Sequence, residues 1–400
     1  MLRISQYLRE VAQAERSGSY PPPPPLRRGP NGPRPVVIWN LTRRCNLTCK
    51  HCYALSADHH YPGELDEAEM LAVLADLKAY GVPALILSGG EPLLSPHLWP
   101  LADRAKELGF HLGLSTNGTL IDAAMADRIA GHGFDYVGIS IDGLRATHDK
   151  FRRLEGAFER SMDALRMLRA RGVNIGMRYT LTAMNAMDLP TLLQLMREER
   201  VGKFYFSHLN YAGRGNIHRA RDAQFASTRA AMDLLFDTAW AAAWRGEATE
   251  FVSGNNDADG VYLHRWVQAR WPQWAQPLRE RLVAWGGNAS GVAVANIDNL
   301  GHVHPDTMWW HHDLGSVRQR PFSAIWEDRS DPLMAGLKQR PRPLEGRCAA
   351  CPQADICNGN TRVRAHQLTG NAWAEDPGCY LDDSELGMEP AATGASHALA

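Results

Sequence analysis

The sequence lacks the features that would assign it to several broad classes of protein. Its 43 basic and 44 acidic residues leave a formal net charge of −1, which gives no general attraction to nucleic acid or anionic lipid. No run of about 18 apolar residues occurs, so no membrane span is predicted. The N-terminal stretch has no uninterrupted apolar core of the kind found in signal peptides. We therefore expect a soluble, cytoplasmic protein.

The sequence also lacks an even number of cysteines. Its seven cysteines leave one over in any disulfide pairing, and a reducing cytoplasm disfavours disulfides. They form one group of three and one group of four, at spacings typical of metal ligands. The positions are Cys45, Cys49 and Cys52, followed by Cys348, Cys351, Cys357 and Cys379. We predict two metal centres.

The length of 400 residues predicts two or three domains, at about 100 to 200 residues per domain. Consecutive prolines favour polyproline II and predict an N-terminal tail that does not pack. The predicted boundaries are a proline-rich tail over 1–35, a β/α region over 36–225, a helical, tryptophan-rich connection over 226–290, a second cysteine-bearing region over 291–385 and a disordered tail over 386–400.

Short β-rich runs alternate with helical patterns through the β/α region. Because these runs are apolar on both faces, they indicate a parallel sheet covered by helices. Six repeats are too few for a closed eight-stranded barrel, so we predict an α/β fold, a partial (β/α)6 barrel, with its chemistry at the C-terminal strand ends. The predicted strands are 36–40, 84–88, 111–115, 135–141, 174–181 and 203–209, and clear helical patterns cover 66–81, 123–133 and 189–200.

The first cysteine group lies in RRCNLTCKHCYA, directly after the first predicted strand. Three thiolates at C-x3-C-x2-C spacing can hold three irons of a [4Fe–4S] cluster and leave the fourth iron open to a small molecule. The alternative is a zinc site with a remote fourth ligand, for which His51 and His59 are candidates.

This loop, together with SGGEP at the end of the second strand, resembles the radical S-adenosylmethionine (radical SAM) superfamily. The resemblance implies that the methionine part of SAM chelates the open iron and that an electron cleaves SAM to a 5′-deoxyadenosyl radical. Gly89, Gly90 and Glu91 would hold the methionine ammonium, since glycines permit close approach and a carboxylate suits an ammonium.

Further polar motifs follow at successive strand ends: STNG after the third strand and SIDG after the fourth. Each alone is compatible with an ordinary polar strand end, but their order matches the family. By this resemblance, Ser115, Asn117, Ser140 and Asp142 would lie near the methionine or ribose, His51 near the adenine, and Arg152 near the SAM carboxylate.

The second cysteine group has C-x2-C-x5-C-x21-C spacing. Its four thiolates can bind all four irons of a cluster and leave no iron open. Zinc is the alternative metal. The pattern resembles the SPASM/twitch-like auxiliary iron–sulfur domain of radical SAM enzymes, with two departures: Thr361 stands where a fourth clustered cysteine is expected, and Asp306 stands near an expected upstream cysteine. The resemblance implies one retained auxiliary [4Fe–4S] cluster, which passes or accepts an electron. Asp306 or a nearby histidine is a candidate ligand, but we expect a plain surface loop at this position.

The substrate is indicated by resemblance alone. The full-length arrangement is similar to radical SAM enzymes of heme d1 biosynthesis, which implies an iron-bearing tetrapyrrole, didecarboxysiroheme, that loses or has modified two propionate side chains. An electron donor such as a flavodoxin or ferredoxin is implied as a partner. The polar segments GNNDADG and GGNASG would contact substrate. Tryptophans of the connecting region, with His302, His304, His311 and His312, are further candidates, although for any one of them we favour a structural role.

Three alternatives remain open at this point. The first is a related tetrapyrrole decarboxylase of the alternative heme pathway. The second is a SPASM-type peptide maturase, which usually has a recognition domain that the short N-terminal segment is too small to form. The third is a zinc-dependent or electron-carrying scaffold without SAM chemistry.

Overall fold

The computed structural model describes residues 1–22 and 34–388. Its centre is a sheet of nine strands in the order β7-β6-β5-β4-β3-β2-β1-β8-β9, in which all neighbours are parallel except the antiparallel pair β8 and β9. The sheet is open. The strands are β1 Val36–Asn40, β2 Ala84–Ser88, β3 His111–Thr116, β4 Tyr136–Ser140, β5 Ile175–Leu181, β6 Lys203–His208, β7 Glu250–Gly254, β8 Val294–Ile297 and β9 Val303–His304.

Helices cover the sheet and continue into the C-terminal part. They are α1 Ile4–Ser17, α2 Glu67–Tyr80, α3 Leu98–Glu107, α4 Ala123–Gly131, α5 Arg145–Arg152, α6 Ala157–Ala170, α7 Leu189–Glu198, α8 Gly213–Ile217, α9 Phe225–Trp244, α10 Ala258–Arg270, α11 Ala275–Trp285, α12 Phe322–Glu327, α13 Pro332–Lys338, α14 Gly346–Ala350, α15 Ala354–Cys357, α16 Arg362–Thr369 and α17 Asp383–Leu386. Within the described residues, none is long and apolar enough to cross a membrane.

The partial barrel predicted from the sequence is confirmed. All six predicted strands are present in sequential order, and their ends differ from the predicted ends by one residue at most. The sheet is larger than predicted because β7 joins it beside β6 and β8 joins it beside β1. The region 226–290 is therefore not entirely helical: five strand residues, EFVSG, lie between two long helices, and so short a run gives little periodic signal.

The N-terminal segment is not an unpacked tail over its whole length, which corrects the prediction for 1–35. Helix α1 packs against α9 and β7, with Ile4, Leu8 and Val11 fully buried. These residues recur at helical spacing, so the charged residues between them mark the solvent-facing side of an amphipathic helix. Most of the proline run lies in 23–33, outside the described residues, as does 389–400 of the predicted disordered tail.

The tryptophans of the connecting region pack against one another. Trp240 lies 4.1 Å from Trp271 and 6.5 Å from Trp266, measured between ring centroids. Trp244 stacks on Trp240 at 5.6 Å. These contacts join α9 to α10 beside the sheet, so Trp240, Trp266 and Trp271 serve core packing, whereas Trp244 is half exposed.

We expect Leu8→Ala to lower the free energy of unfolding by about 2–5 kcal/mol, because the truncation leaves a cavity where α1 meets the core. The matched control is Gln13→Ala on the exposed face of the same helix, which should change stability little. Urea unfolding of both variants under anaerobic conditions gives the comparison. Equal midpoints for the two variants would contradict the docking of α1.

Candidate active site

A cavity of about 1780 Å³ opens at the C-terminal ends of the strands and continues along the inner face of the sheet. Its wall contains the three clustered cysteines and eight of the nine residues that the sequence predicts near SAM. Glu91 is the exception. These residues are Cys45, Cys49, Cys52, His51, Gly89, Gly90, Ser115, Asn117, Ser140, Asp142 and Arg152. Because parallel strands present their C-terminal ends at one edge, loops distant in sequence meet there.

The three cysteines lie on the loop after β1 as free thiols, and Cys45 and Cys49 are buried. The backbone N–H of Leu47 donates to Cys45 Sγ at 3.4 Å, and Arg152 Nη1 lies 3.5 Å from Cys49 Sγ. Burial raises the pKa of the Cys49 thiol, while the positive charge of Arg152 acts in the opposite direction. Hydrogen-bond donors and a cation beside the thiols suit thiolates that bind an iron–sulfur cluster.

The zinc alternative for this loop finds less support. His59 is exposed, its ring lies 4.0 Å from that of Tyr61 at a tilted angle, and it does not line the cavity. His51 does line the cavity, yet no three His, Cys, Asp or Glu side chains in the part of the chain that the structure describes converge on a single-ion position.

The glycines of SGGEP allow two loops to pack backbone against backbone. A methyl group on Gly89 would lie 2.7 Å from the carbonyl oxygen of Thr42, and one on Gly90 would overlap the carbonyl oxygens of Arg43 and Arg44. The N–H of Gly90 donates to Thr42 O at 2.7 Å. The glycines thus hold the loop after β2 directly against the cysteine loop.

The Glu91 side chain points away from the cavity and braces the loop after β3. Thr116 Oγ1 donates to Glu91 Oε1 at 2.7 Å, and the backbone N–H of Asn117 donates to Oε2 at 2.9 Å. The residue is completely buried, and burial raises its pKa to about 7 against the effect of these donors. This differs from the expected direct contact of the carboxylate with a ligand ammonium.

Asn117 connects the same loop back to the cysteines. Its Nδ2 donates to Asn46 Oδ1 at 2.9 Å and lies 4.0 Å from Cys45 Sγ. The loops after β1, β2 and β3 therefore form a closed ring of contacts.

Arg152 forms a buried ion pair with Asp142. Burial would raise the pKa of Asp142, but Arg152 and two nearby histidines outweigh it and hold that pKa below its usual range. His51 Nε2 lies 3.8 Å from Asp142 Oδ2, and burial lowers the pKa of His51 to about 4, so the ring is neutral. Two buried nitrogen atoms, His51 Nδ1 and Arg152 Nε, have no hydrogen-bond partner among the described residues. Orphaned polar atoms at the cavity wall suit a site completed by a polar ligand.

Sequence reasoning missed Arg178 and Arg214, which both line the cavity. Arg178 lies beside Ser140 in the register of β4 and β5 and donates to Ser115, and Arg214 donates to the backbone carbonyl of Cys49 at 2.6 Å. Neither has a carboxylate partner within 4.0 Å in the described residues. The available signal for Arg178 was a charged residue in the middle of the predicted strand NIGMRYTL.

The four C-terminal cysteines are free thiols, and each is partly exposed. Burial raises the pKa of the Cys357 thiol, and the charges of Cys379, Cys348 and Cys351 act in the same direction. Arg362 Nη2 lies 4.0 Å from Cys348 Sγ. These thiols stand outside the cavity wall, but Asn288 donates its backbone N–H to Cys357 O at 3.2 Å and does line the cavity.

Two polar segments, GNNDADG and GGNASG, meet between the cavity and the four cysteines. Asn288 Nδ2 donates to Asp257 Oδ2 at 3.0 Å, and both side chains line the cavity. Thr361, at the position of the missing cysteine, donates to Asn255 O at 3.1 Å. The expectation that Asp306 lies on a plain surface loop is wrong: it lines the cavity and accepts a hydrogen bond from Ser290.

The four histidines considered as substrate contacts do not line the cavity. Three pair with carboxylates: His302 with Asp313, His304 with Asp298 and His312 with Asp331. His311 lies 3.2 Å from His366, measured between Nε2 and Nδ1. Their roles in this structure are local packing and hydrogen bonding.

Comparisons with known proteins agree with this geometry. A family model for the radical SAM superfamily matches residues 39–196. The pre-heme d1 synthase of Dinoroseobacter shibae is 54% identical over 390 residues, which cover 97% of this chain and 94% of that protein. The Fe-coproporphyrin III synthase of Methanosarcina barkeri is 42% identical over 358 residues, covering 88% of this chain and 90% of that protein.

The crystal structure of Streptococcus suis SuiB bound to S-adenosylmethionine shares the fold. It aligns with a TM-score of 0.66 and 16% identity over 93% of this chain and 80% of that one. The family model covers the loops with the first three cysteines, GGE, STNG and SIDG, and the similarity to the two enzymes extends over most of both chains. The chain belongs to the radical SAM superfamily.

Proposed function

We propose that this radical SAM enzyme acts in heme d1 biosynthesis and removes or oxidatively modifies two propionate side chains of didecarboxysiroheme, an iron-bearing tetrapyrrole. The names of the two similar enzymes, a pre-heme d1 synthase and an Fe-coproporphyrin III synthase, support a tetrapyrrole substrate. The observation that carries the proposal is the single cavity that joins the cysteine loop to the polar segments of the C-terminal part.

The superfamily uses SAM and a [4Fe–4S] cluster, and Cys45, Cys49 and Cys52 are the residues that would hold the cluster. When bound, these cofactors supply a 5′-deoxyadenosyl radical that abstracts a hydrogen atom. Beside them, the backbone of Gly89 and Gly90 would face the methionine end of SAM, with Ser115, Asn117 and Ser140 along the same wall. In this proposal Glu91 is a positioning residue, since its buried carboxylate accepts hydrogen bonds from Thr116 and Asn117 on the loop after β3 and does not line the cavity.

The buried group of His51, Asp142 and Arg152 would complete the SAM site. The two orphaned nitrogen atoms of His51 and Arg152 are donors or acceptors that a bound ligand can satisfy. Because Arg152 already pairs with Asp142, we propose that Arg178 contributes the additional positive charge that a SAM carboxylate requires.

The substrate would occupy the remainder of the cavity, toward β5, β6 and β7. A typical small-molecule pocket holds about 300–1,000 Å³, so a cavity of about 1780 Å³ has room for two ligands. Arg214 has no carboxylate partner within the described residues; its Nε and Nη2 donate to Cys49 O and Ser56 O, and its Nη1 is the atom that we propose pairs with a propionate. The chain's contribution is confinement, since a carbon radical abstracts any hydrogen within reach and the held carbon determines the product.

We further propose that Cys348, Cys351, Cys357 and Cys379 hold an auxiliary [4Fe–4S] cluster that exchanges an electron with the substrate side of the cavity. An external reductant such as a flavodoxin or ferredoxin would supply the first electron. Seven free thiols require a reducing compartment, which supports the cytoplasm as the location.

The proposed reaction is tested by anaerobic incubation of reconstituted enzyme with SAM, reductant and didecarboxysiroheme. We expect 5′-deoxyadenosine together with a tetrapyrrole whose mass has fallen by loss or modification of propionates. Formation of deoxyadenosine with an unchanged tetrapyrrole would contradict the assignment of didecarboxysiroheme as the substrate. Turnover of Fe-coproporphyrin-type precursors in its place would favour a related decarboxylase.

The two cysteine groups should contribute separately to the iron content. Wild-type protein should bind about eight irons, and replacing Cys45, Cys49 and Cys52 with alanine should leave about four and abolish deoxyadenosine formation. Replacing the four C-terminal cysteines should also leave about four irons but retain SAM cleavage. Iron analysis and chromatography of deoxyadenosine give both results, and unchanged iron in the second variant would contradict the auxiliary cluster.

Gly90→Ala should lower deoxyadenosine formation by about 10²-fold, because the added methyl group separates the two loops that border the SAM site. Gly131→Ala is the matched control, since nothing lies within 4 Å of the added methyl group there. Single-turnover assays at equal iron content compare the two. Wild-type activity in the Gly90 variant would show that this packing is not needed for SAM cleavage.

A further inference from the structure

A buried hydrogen-bonded chain runs from the cavity wall toward the four C-terminal cysteines. His208, the last residue of β6, lines the cavity, and its Nε2 lies 3.0 Å from Asp259 Oδ2. The hydroxyl of Tyr380 donates to the other carboxylate oxygen, Oδ1, at 2.9 Å. Asp259 is completely buried on α10, and Tyr380 directly follows Cys379. None of these three side chains has a role in the SAM site described above.

The contacts of the His208 ring determine which nitrogen faces the cavity. An ionised carboxylate only accepts hydrogen bonds, so Nε2 carries the proton that is donated to Asp259. In the neutral imidazole, Nδ1 then carries a lone pair. Nδ1 makes no hydrogen bond within the described part of the chain, and it is not among the buried atoms left without a partner, so it remains accessible.

Neighbouring rings hold the imidazole in this orientation. Phe206 meets it edge-on at 5.1 Å, and Tyr380 lies nearly parallel to it at 6.3 Å, measured between ring centroids. The His208 side chain is only 6% exposed. A ring fixed by a carboxylate and two aromatic neighbours loses little further entropy on binding a ligand.

A histidine whose second ring nitrogen donates to a carboxylate is the typical arrangement of a metal-ligating histidine, because the carboxylate fixes the tautomer and makes the free nitrogen more basic. Iron in tetrapyrroles commonly takes such an imidazole as an axial ligand. His208 ends β6 and lines the same cavity as the cysteine loop after β1, so a planar ligand bound to it would lie in the cavity that also holds SAM.

We propose that His208 Nδ1 is an axial ligand to the iron of the tetrapyrrole substrate, with Asp259 and Tyr380 as positioning residues. This inference rests on the proposed function. The new bond is a dative bond from the Nδ1 lone pair to iron, and no electron or proton is transferred. The iron thereby anchors the macrocycle, so that the cavity walls need only fix its rotation and present one propionate to SAM.

The test is an anaerobic titration of cluster-reconstituted enzyme, with both clusters oxidised and therefore diamagnetic, by ferric didecarboxysiroheme. Electron paramagnetic resonance of the substrate iron should show nitrogen couplings of an axial imidazole in wild-type protein. His208→Ala should lose these couplings and bind the iron compound about tenfold or more weakly, and added imidazole should restore them. Asp259→Asn should weaken binding by about 10–100-fold.

Two controls separate coordination from folding and from the proposed function. The iron-free tetrapyrrole should bind wild-type protein and His208→Ala with the same affinity. His302→Ala should leave the iron spectrum unchanged, because His302 is a partly exposed histidine that pairs with Asp313 and does not line the cavity. Imidazole couplings that persist in His208→Ala would overturn the inference while the proposed function stands. Failure of wild-type protein to bind either form of the tetrapyrrole would overturn the proposed function, and the inference with it.

Discussion

Three backbone hydrogen bonds that continue the β1–β2 pairing beyond the ends of the strands hold the active site together. Leu41 N–H donates to Ser88 O, Gly90 N–H to Thr42 O and Glu91 N–H to Arg44 O, at 2.7–2.9 Å. They fix the cysteine loop against the loop after β2, which only glycines permit. Glu91 then reaches the loop after β3, and Asn117 on that loop returns to the cysteine loop. The positions of the thiols thus depend on main-chain geometry rather than on the cofactor alone.

The sequence was most informative where structure repeats. Six strands alternate with helices at regular spacing, and each polar motif follows a strand, so both the partial barrel and the grouping of the motifs at one edge were predictable. The strand β7 and the helix α1 were not, because a five-residue strand has little periodicity and because the charges of α1 concealed its apolar face. Both elements depend on long-range packing.

Within the site, the sequence motifs predicted which residues border the cavity better than they predicted what each side chain contacts. The cysteines and all but one of the predicted SAM-site residues border the cavity, but Glu91 faces the adjacent loop and Arg152 pairs with Asp142. Arg178 was missed because a lone arginine in a strand carries no motif. The sequence also contains no local sign of the contact between GNNDADG and GGNASG. Asn288 and Asp257 make this contact, and the two segments are adjacent only in the fold.

The docking of α1 against β7 has a consequence for how the chain is made. Leu2 exchanges two backbone hydrogen bonds with Ser253, at 2.8 and 2.9 Å, and so covers part of the outer edge of the sheet. An uncovered edge strand can pair with another molecule. Six strands, β1 to β6, lie between α1 and β7 in the sequence. Leu2 can therefore pair with Ser253 only after all six have been synthesised, which makes this one of the contacts with the largest sequence separation in the fold.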